Sequence, residues 1–293
     1  MMKKIYAIAL ACFLSMGSAM AQVEFAWGVS ADVVSSYLWR GQYLGGLSFQ
    51  PEVSVGFDAE HVSLSVGAWG NVGASDWKFS KNNADPTNDT YLVPELDLFL
   101  DFGFYGFHVG ATHYFYFDGS PFFNGFKNPN GTSQTEVSLG YHFADEFDFG
   151  LYVDAYTMIL GDDGEYEATN MMMLPTTTKY NRYFSTYIEL GYEIELPLEF
   201  TLTPAIGITP NKISLYADDA WSSAAKLGIT NLSLRLDKAW ELGDHTSISV
   251  FAMGCVNLYD INKNNLWFNE SGENKINSGQ KLNGCIGFNV SFE

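Results

Sequence analysis

The chain has 293 residues and carries 34 acidic against 15 basic side chains, a formal net charge of −19. This excess of acids argues against nucleic acid as a partner, because binding of phosphates needs clustered Lys and Arg. The length suits one all-β domain, and 16% aromatic residues with 28 glycines are more typical of a membrane barrel than of a soluble enzyme.

Residues 1–21 predict an export signal. Lys3 and Lys4 give the positive start, and an apolar run and a small-residue Ala-Met-Ala cleavage site follow. We therefore expect the mature chain, 22–293, to form a single barrel domain, and loss of the two lysines lowers its charge from −19 to −21. Cys12 makes a lipoprotein the alternative, although the apolar run before it is very short.

Beyond the signal, about a dozen segments alternate apolar and polar residues at every second position, which is the period of a β-strand. In one of them Phe49, Val53 and Phe57 share one face, whereas Gln50 and Ser54 share the other. The mature chain contains no run of about 18 apolar residues, so the sequence predicts no membrane-spanning helix. The predicted strands are approximately 26–40, 46–58, 61–72, 91–103, 106–118, 133–143, 147–160, 181–196, 198–209, 227–239, 245–259 and 280–292.

Short connections near 58–61 and 103–106 alternate with long ones such as 72–90 and 118–132. Outer-membrane barrels are built in this way, with short turns on the periplasmic rim and long loops on the outer rim. We therefore predict an all-β, antiparallel up-and-down transmembrane β-barrel of about 12 strands, with an even strand number that allows closure. It would reach the bacterial outer membrane through the periplasm. A soluble, secreted all-β sandwich is the alternative.

Aromatic residues on the apolar parity form two groups, as expected where amphipathic rings lie at two membrane interfaces. Near the short turns they are Phe57, Phe102, Phe104, Phe107, Phe143, Phe147, Phe149, Phe200 and Phe292. Near the long loops they are Tyr37, Trp39, Phe49, Phe115 and Phe117. His113 interrupts the apolar face of its strand, and the pattern gives no reason for it.

One stretch near the start of the mature chain carries a family resemblance. The segment 30–41 reads Ser-x-Asp-x-x-Ser-Ser-Tyr-Leu-Trp-Arg-Gly, and Gln50-Pro51 follows it in an alternating strand. This stretch resembles the opening of the TorF-like porin family of Gram-negative bacteria, over about the first two predicted strands. The resemblance implies an outer-membrane barrel of poorly defined transport role, with no catalytic residues to assign.

The polar parity of the strands should line the interior, and it is rich in acids. Buried carboxylates without partners are costly, so the set implies water, cations or basic groups inside the barrel. We predict a narrow, porin-like passive channel with an acidic lumen that prefers cations and carries small hydrophilic solutes or cations. Its field would be set by Glu95, Asp97, Asp101, Asp154, Glu189 and Glu193, with Arg235 and Lys281 as inward bases and Arg40 at the loop rim.

Two other classes of function remain. The first is a closed structural barrel in which the lumen groups form a packed polar network. The second is an outer-membrane hydrolase, for which Glu136, Ser138 and His142 share one face of one strand. Residues four apart on a strand are about 13 Å apart, beyond the reach of a nucleophile and its base. We therefore expect no enzymatic activity, no cofactor and no metal-ligand spacing, with membrane lipid and lipopolysaccharide as surroundings.

Three loop stretches invite functional interpretations that ordinary loop chemistry also explains. The acidic stretch 161–167 has oxygen ligands that suit Ca²⁺, but its spacing matches no full calcium loop. The aromatic stretch 121–127 could bend into the lumen, touch lipopolysaccharide, or pack as a loop, and the last is expected. The apolar stretch 171–174 could cover the barrel mouth or pack under its own loop.

Cys255 and Cys285 fall on the inward parity of the last two predicted strands. A hairpin centred near residue 269 would bring them close across the ladder, and export to an oxidising compartment permits a disulfide. A shift in register would leave two free thiols instead. Both outcomes are open at the level of the sequence.

Overall fold

The structure is a computed structural model, and it describes residues 23–74, 94–117, 119–129, 131–166, 180–210, 228–258 and 282–292. The predicted signal at 1–21, Lys281 and the apolar stretch 171–174 lie outside the described residues. Within those ranges, no helix has the length and apolar content needed to cross a membrane.

Antiparallel strands make up 73% of the described chain. In order they are β1 (Glu24–Val34), β2 (Tyr37–Trp39), β3 (Gln42–Gly45), β4 (Ser48–Ala59), β5 (Val62–Gly73), β6 (Glu95–Phe104), β7 (Phe107–Tyr116), β8 (Gln134–His142), β9 (Leu151–Leu160), β10 (Gly164–Tyr166), β11 (Tyr180–Arg182), β12 (Thr186–Tyr192), β13 (Ile194–Leu196), β14 (Phe200–Thr209), β15 (Gly228–Glu241), β16 (Thr246–Asn257) and β17 (Leu282–Phe292). A short helix, α1 (Asn124–Lys127), and a 3-10 turn (Phe143–Asp145) interrupt the strands.

The strands close into one barrel. Along the wall each strand pairs with the next wall strand in the sequence, and β1 pairs with β17, for example through Ser30 and Ser291, to seal the sheet. β12 and β13 both pair with β14 and act as one wall position interrupted at Glu193. The wall therefore has twelve antiparallel positions, which confirms the predicted barrel. β2 with β3 and β10 with β11 form two separate hairpins.

The first predicted strand is too long, and the difference changes the structure of the lumen. The strand expected over 26–40 ends at Val34, and the chain leaves the wall to form the hairpin β2–β3. Arg40 and Gly41 connect the two short strands with φ of 49° and 82°. Two successive residues of positive φ are the geometry of a type I′ turn, which reverses the chain within two residues. Alternation of side chains does not reveal such a turn.

The apolar parity faces outward along the wall, as predicted. Val53 is 51% exposed and Ile286 is 68% exposed, whereas Gln50, on the opposite parity, is buried. Soluble monomers rarely expose a continuous apolar surface of this extent. In transmembrane barrels, an apolar outer wall of this kind contacts the hydrocarbon core of the bilayer.

The predicted aromatic bands need one correction. Phe57, Phe104 and Phe107 are exposed on the outer wall near the short turns, as expected. Tyr37 and Trp39, assigned to the band near the long loops, instead belong to the hairpin β2–β3 and contact residues of the inner face. Their parity was correct for a straight strand, but the chain bends inward after Val34.

The stretch 121–127 packs against the outside of the barrel and thereby explains His113. The His113 ring lies 5.2, 5.0 and 5.4 Å from the rings of Phe122, Phe123 and Phe126. Its nitrogens lie 2.9 Å from Thr135 Oγ1 and 3.0 Å from the carbonyl oxygen of Phe122. The polar residue on the apolar face is therefore covered and satisfied by its own loop, and Phe123 and Phe126 remain exposed.

Neighbouring residues on β5 test which face meets lipid. Val66→Arg should lower the free energy of unfolding by about 2–4 kcal/mol, because it puts a charge on the lipid face near the middle of a strand. Ser65→Arg should be tolerated, because Ser65 faces inward opposite Asp101. Urea unfolding in phospholipid vesicles measures both. Equal losses in the two variants would contradict the assignment of faces.

Candidate functional site in the lumen

The hairpin β2–β3 folds into the barrel and lies across its lumen on the side of the long connections. On one side its tip reaches Glu136 of β8 through Arg40. On the other side the carbonyl oxygen of Gly41 accepts a hydrogen bond of 2.9 Å from the side chain of Asn283 on β17. Since these strands are far apart in the wall order, the tip crosses the space between them.

Arg40 is the best-anchored residue of the hairpin. Its Nη1 and Nη2 donate to Oε2 and Oε1 of Glu136 at 2.7 and 2.6 Å. The two side chains are 8% and 2% exposed. The guanidinium also lies 4.4, 4.5 and 4.8 Å from the ring centroids of Trp39, Tyr156 and Tyr187. A bidentate pair enclosed by aromatic faces fixes both position and orientation. Arg40 is therefore inside the lumen, and its predicted place at the loop rim is wrong.

Gly41 is required by close approach as well as by its positive φ. A Cβ built on it would lie 2.5 Å from Cβ of Asn231, which leaves no room for any side chain. Its carbonyl oxygen also lies 3.6 Å from the thiol sulfur of Cys255. The Arg-Gly pair in the sequence is the one signal that could have revealed this inward turn.

The base of the hairpin is held by a second acid. Tyr37 is buried, and its hydroxyl donates to Oε2 of Glu95 at 2.9 Å. Its ring packs against Trp69 at 5.7 Å between centroids. Two of the buried carboxylates in this level of the lumen, Glu95 and Glu136, thus receive hydrogen bonds from the hairpin.

A cavity of about 350 Å³ lies against the hairpin in the middle of the lumen. Its lining includes Asp32, Asp97, Arg235, Trp69 and Phe251, together with the hairpin itself. Asp97 is 7% exposed, and its Oδ1 has no hydrogen-bond partner among the described residues. A buried carboxyl oxygen of this kind needs water, a cation or a proton beside it.

The six acids predicted to set one field lie at separate levels instead. Asp97 borders the cavity, and Glu95 lies beside the hairpin. Glu189 accepts from the hydroxyls of Tyr152 and Tyr187 at 3.0 and 2.8 Å.

Toward the short turns, Asp101 and Asp154 lie beside His108 and His142. Glu193 lies at the break between β12 and β13 and is exposed. The acids lie at different levels of the lumen because they come from different positions along their strands.

Of the predicted inward bases, only Arg235 lies within the described residues. Arg235 faces the cavity and pairs within its own strand, since its Nε donates to both carboxylate oxygens of Asp237 at 2.9 and 3.0 Å. Its guanidinium lies 3.8 Å from the ring centroid of Phe251. Lys281 lies outside the described residues.

Glu136, Ser138 and His142 are not brought together. Glu136 binds Arg40, whereas Nε2 of His142 lies 3.1 Å from both carboxylate oxygens of Asp154. The sequence pattern placed Glu136 on the inward face of its strand but did not reveal its role as the partner of the hairpin.

The acidic stretch 161–167 is described through Tyr166, and two of its acids, Asp162 and Asp163, make local structural contacts. Asp163 is fully buried and accepts from the backbone N–H of Ser185 at 3.1 Å and from its hydroxyl. Tyr180 donates to Asp162 at 3.2 Å. Burial and the nearby Asp162 carboxylate raise the pKa of Tyr180. These contacts tie down the hairpin β10–β11 at the loop side.

Cys255 and Cys285 are free thiols, so the possible disulfide is not formed. The hairpin β16–β17 pairs Cys255 with Asn283 and Cys285 with Met253. The cysteines are therefore diagonal neighbours, with Cα atoms about 7–8 Å apart, beyond the span of an unstrained disulfide. The predicted hairpin centre was correct, but the two residues are not equidistant from it.

A closed antiparallel barrel with an apolar outer wall and a polar, acidic lumen defines this protein as a transmembrane β-barrel. No family model matches the chain, and no curated protein matches it. The resemblance to the TorF-like porin family therefore remains an expectation.

Among solved structures, the chain is similar to OmpT, an outer membrane protein of Vibrio cholerae, at 11% identity over 92% of this chain and 96% of that chain, with a TM-score of 0.29. It is similar to a FadL homologue of Pseudomonas aeruginosa at 12% identity over 92% and 75%, with a TM-score of 0.34. Wzi of Escherichia coli shares 7% identity over 98% and 87%, with a TM-score of 0.29. At these TM-scores the likeness carries no argument of its own.

The register of β16–β17 predicts the state of the thiols. Alkylation in urea without reductant should label both Cys255 and Cys285, because diagonal neighbours at this spacing do not bond. Intact mass spectrometry of the mature chain counts the labels. Labelling that requires prior reduction would contradict the register.

The buried pair should contribute far more to stability than the more exposed one. Glu136→Gln leaves Arg40 buried without its carboxylate and should cost about 3–5 kcal/mol of unfolding free energy. Asp237→Asn, beside the 42% exposed Arg235, should cost about 0–1 kcal/mol. Urea unfolding in vesicles compares them, and similar small losses would show that Arg40 does not anchor the hairpin.

Proposed function

We propose that this protein is a barrel of the Gram-negative outer membrane that acts as a narrow passive diffusion channel with a cation-preferring lumen. Small hydrophilic solutes or cations would be its cargo. The observation that carries the proposal is Asp97, a buried carboxyl group on the wall of a cavity of about 350 Å³, with one oxygen that no described residue hydrogen-bonds.

The cavity has room for water beside this carboxyl group. Water occupies about 30 Å³ per molecule in the liquid, so the space holds on the order of ten waters. Asp32 borders the same space, while the guanidinium of Arg235 is paired with Asp237. Where these carboxyl groups are ionised, the field in the cavity is negative, and it favours cations over anions in the way that acidic groups do in cation pores.

The hairpin β2–β3 would form the constriction. It narrows the lumen on the side of the long connections, and the pair between Arg40 and Glu136 fixes its tip. Because Arg40 neutralises Glu136, selectivity would come from Glu95 and Asp97 rather than from Glu136. A segment held by buried contacts limits passage to small solutes.

A closed structural barrel is the second candidate, and the same hairpin favours it. Arg40 is enclosed by Glu136 and by the rings of Trp39, Tyr156 and Tyr187, with little exposure. In that case the hairpin would be a permanent plug, and the cavity would be a water-filled pocket without passage.

The surroundings proposed for the barrel are lipid and lipopolysaccharide. The exposed rings of Phe123 and Phe126 extend the apolar outer wall near the long connections, where lipopolysaccharide would meet it. We propose no nucleic-acid partner, because the chain is strongly acidic. We propose no catalytic role either, since His142 pairs with Asp154 rather than with Ser138.

Conductance in planar bilayers tests the channel. The wild type should pass small currents with a preference for K⁺ over Cl⁻, and Asp97→Asn should lower that preference. One charge at about 4 Å is worth about 1 kcal/mol in water, which corresponds to about a fivefold change in the permeability ratio. Glu60→Gln, at an exposed acid on the turn between β4 and β5, is the matched control and should change nothing.

The outcomes separate the two candidates. A folded, inserted wild type without conductance would favour the closed barrel. Conductance with the same ion preference in Asp97→Asn would remove Asp97 from the mechanism and leave the channel without its stated selectivity.

A further inference from the structure

A second cluster lies on the inner wall at the rim of the short turns. It consists of His108 at the start of β7, His142 at the end of β8 and Asp145 in the 3-10 turn that follows β8. One ligand atom from each of these residues lies within 4.8 Å of the others. The cluster is separate from the hairpin and from the cavity beside Asp97.

The barrel wall itself brings these residues together. His108 pairs directly with Gly140, so His142 is its diagonal neighbour on the same inward face. The imidazole rings lie 4.5 Å apart between centroids. Nε2 of His108 lies 2.8 Å from Oδ2 of Asp145. Two imidazole nitrogens and one carboxylate oxygen, all possible metal ligands, therefore lie close together.

Each imidazole also has a carboxylate neighbour outside the cluster. Nδ1 of His108 lies 3.4 Å from Asp101, and Nε2 of His142 lies 3.1 Å from Asp154. Histidines that bind metals commonly have a carboxylate on the other ring nitrogen, which fixes the tautomer and orients the ring. His108 follows this pattern, with Nε2 toward Asp145 and Nδ1 toward Asp101, and in His142 the contact of Nε2 with Asp154 leaves Nδ1 for the ion.

We propose that His108, His142 and Asp145 bind a divalent transition-metal ion, with Asp101 and Asp154 as positioning residues. Imidazole nitrogens with a carboxylate oxygen suit Zn²⁺, Cu²⁺ and Ni²⁺. Three protein ligands leave a coordination position for water or a passing solute. The two histidines are half-buried and Asp145 is exposed, so the ion can reach the site from the aqueous mouth of the barrel.

Charge and proton balance agree with binding of a cation. Three carboxylates surround two imidazoles, so a divalent ion lowers the excess negative charge at this rim. To bind the ion, Nε2 of His108 must carry no proton: a proton there moves to Nδ1, on the side of Asp101, or leaves to solvent. The distance of 2.8 Å between these two atoms must widen slightly, because two ligands at about 2.0–2.1 Å from zinc lie farther apart than a hydrogen bond.

Calorimetric titration of the refolded, tag-free barrel in detergent with Zn²⁺ tests the site. The wild type should bind one ion, and His108→Gln and His142→Gln should each lower the affinity at least about tenfold, as loss of metal-site partners does. His245→Gln, at an exposed histidine of the turn between β15 and β16, is the matched control and should bind like the wild type. Heat-dependent migration on gels verifies that each variant folds.

Zinc X-ray absorption supplies a readout that does not depend on affinity. The bound ion should show nitrogen ligands at about 2.0–2.1 Å, and Asp154→Asn should keep them while weakening binding about 10–100-fold. Absence of binding by the wild type, unchanged binding in both histidine variants, or a spectrum of oxygen ligands alone would each overturn the site. None of these results depends on whether the barrel conducts ions.

Discussion

Backbone hydrogen bonding in a medium without water is the constraint on which this structure depends. In the hydrocarbon core an unpaired N–H or C=O costs several kcal/mol, so a sheet that crosses the membrane must have no free edge. The pairing of β1 with β17 removes the two edges that an open sheet would leave. Once the wall is closed, its two faces meet two different solvents, and the alternation along every strand follows from that difference.

The interior then presents a second problem, because polar groups turned away from lipid still need partners. The hairpin β2–β3 supplies many of them. Arg40 forms an ion pair with Glu136, the hydroxyl of Tyr37 donates to Glu95, and the carbonyl oxygen of Gly41 accepts from Asn283. Next to this packed level, one oxygen of Asp97 has no hydrogen-bond partner within the described part of the chain. The lumen therefore combines a level packed by the hairpin with a cavity beside it.

The two candidate sites follow from this division. In the proposed channel, the cavity beside Asp97 would supply a negative field without fixed ligand geometry, as passage of hydrated cations requires. The rim near the short turns offers His108, His142 and Asp145 at short range, which suits binding of one ion. They lie at different heights of the same inner face, since an inward residue recurs at every second position of every strand.

The sequence by itself determined the wall: how many strands cross, which side chains face lipid, and that the lumen is acidic. The alternation of side chains along a strand does not depend on which strand pairs with it, so each face can be assigned without knowledge of the fold. Tertiary structure alone decided where the Arg40-Gly41 turn goes, why Cys255 meets Asn283 rather than Cys285, and how His108 joins His142. Those results depend on left-handed backbone angles and on the exact register between strands. A shift of two residues changes every contact and leaves the alternation untouched.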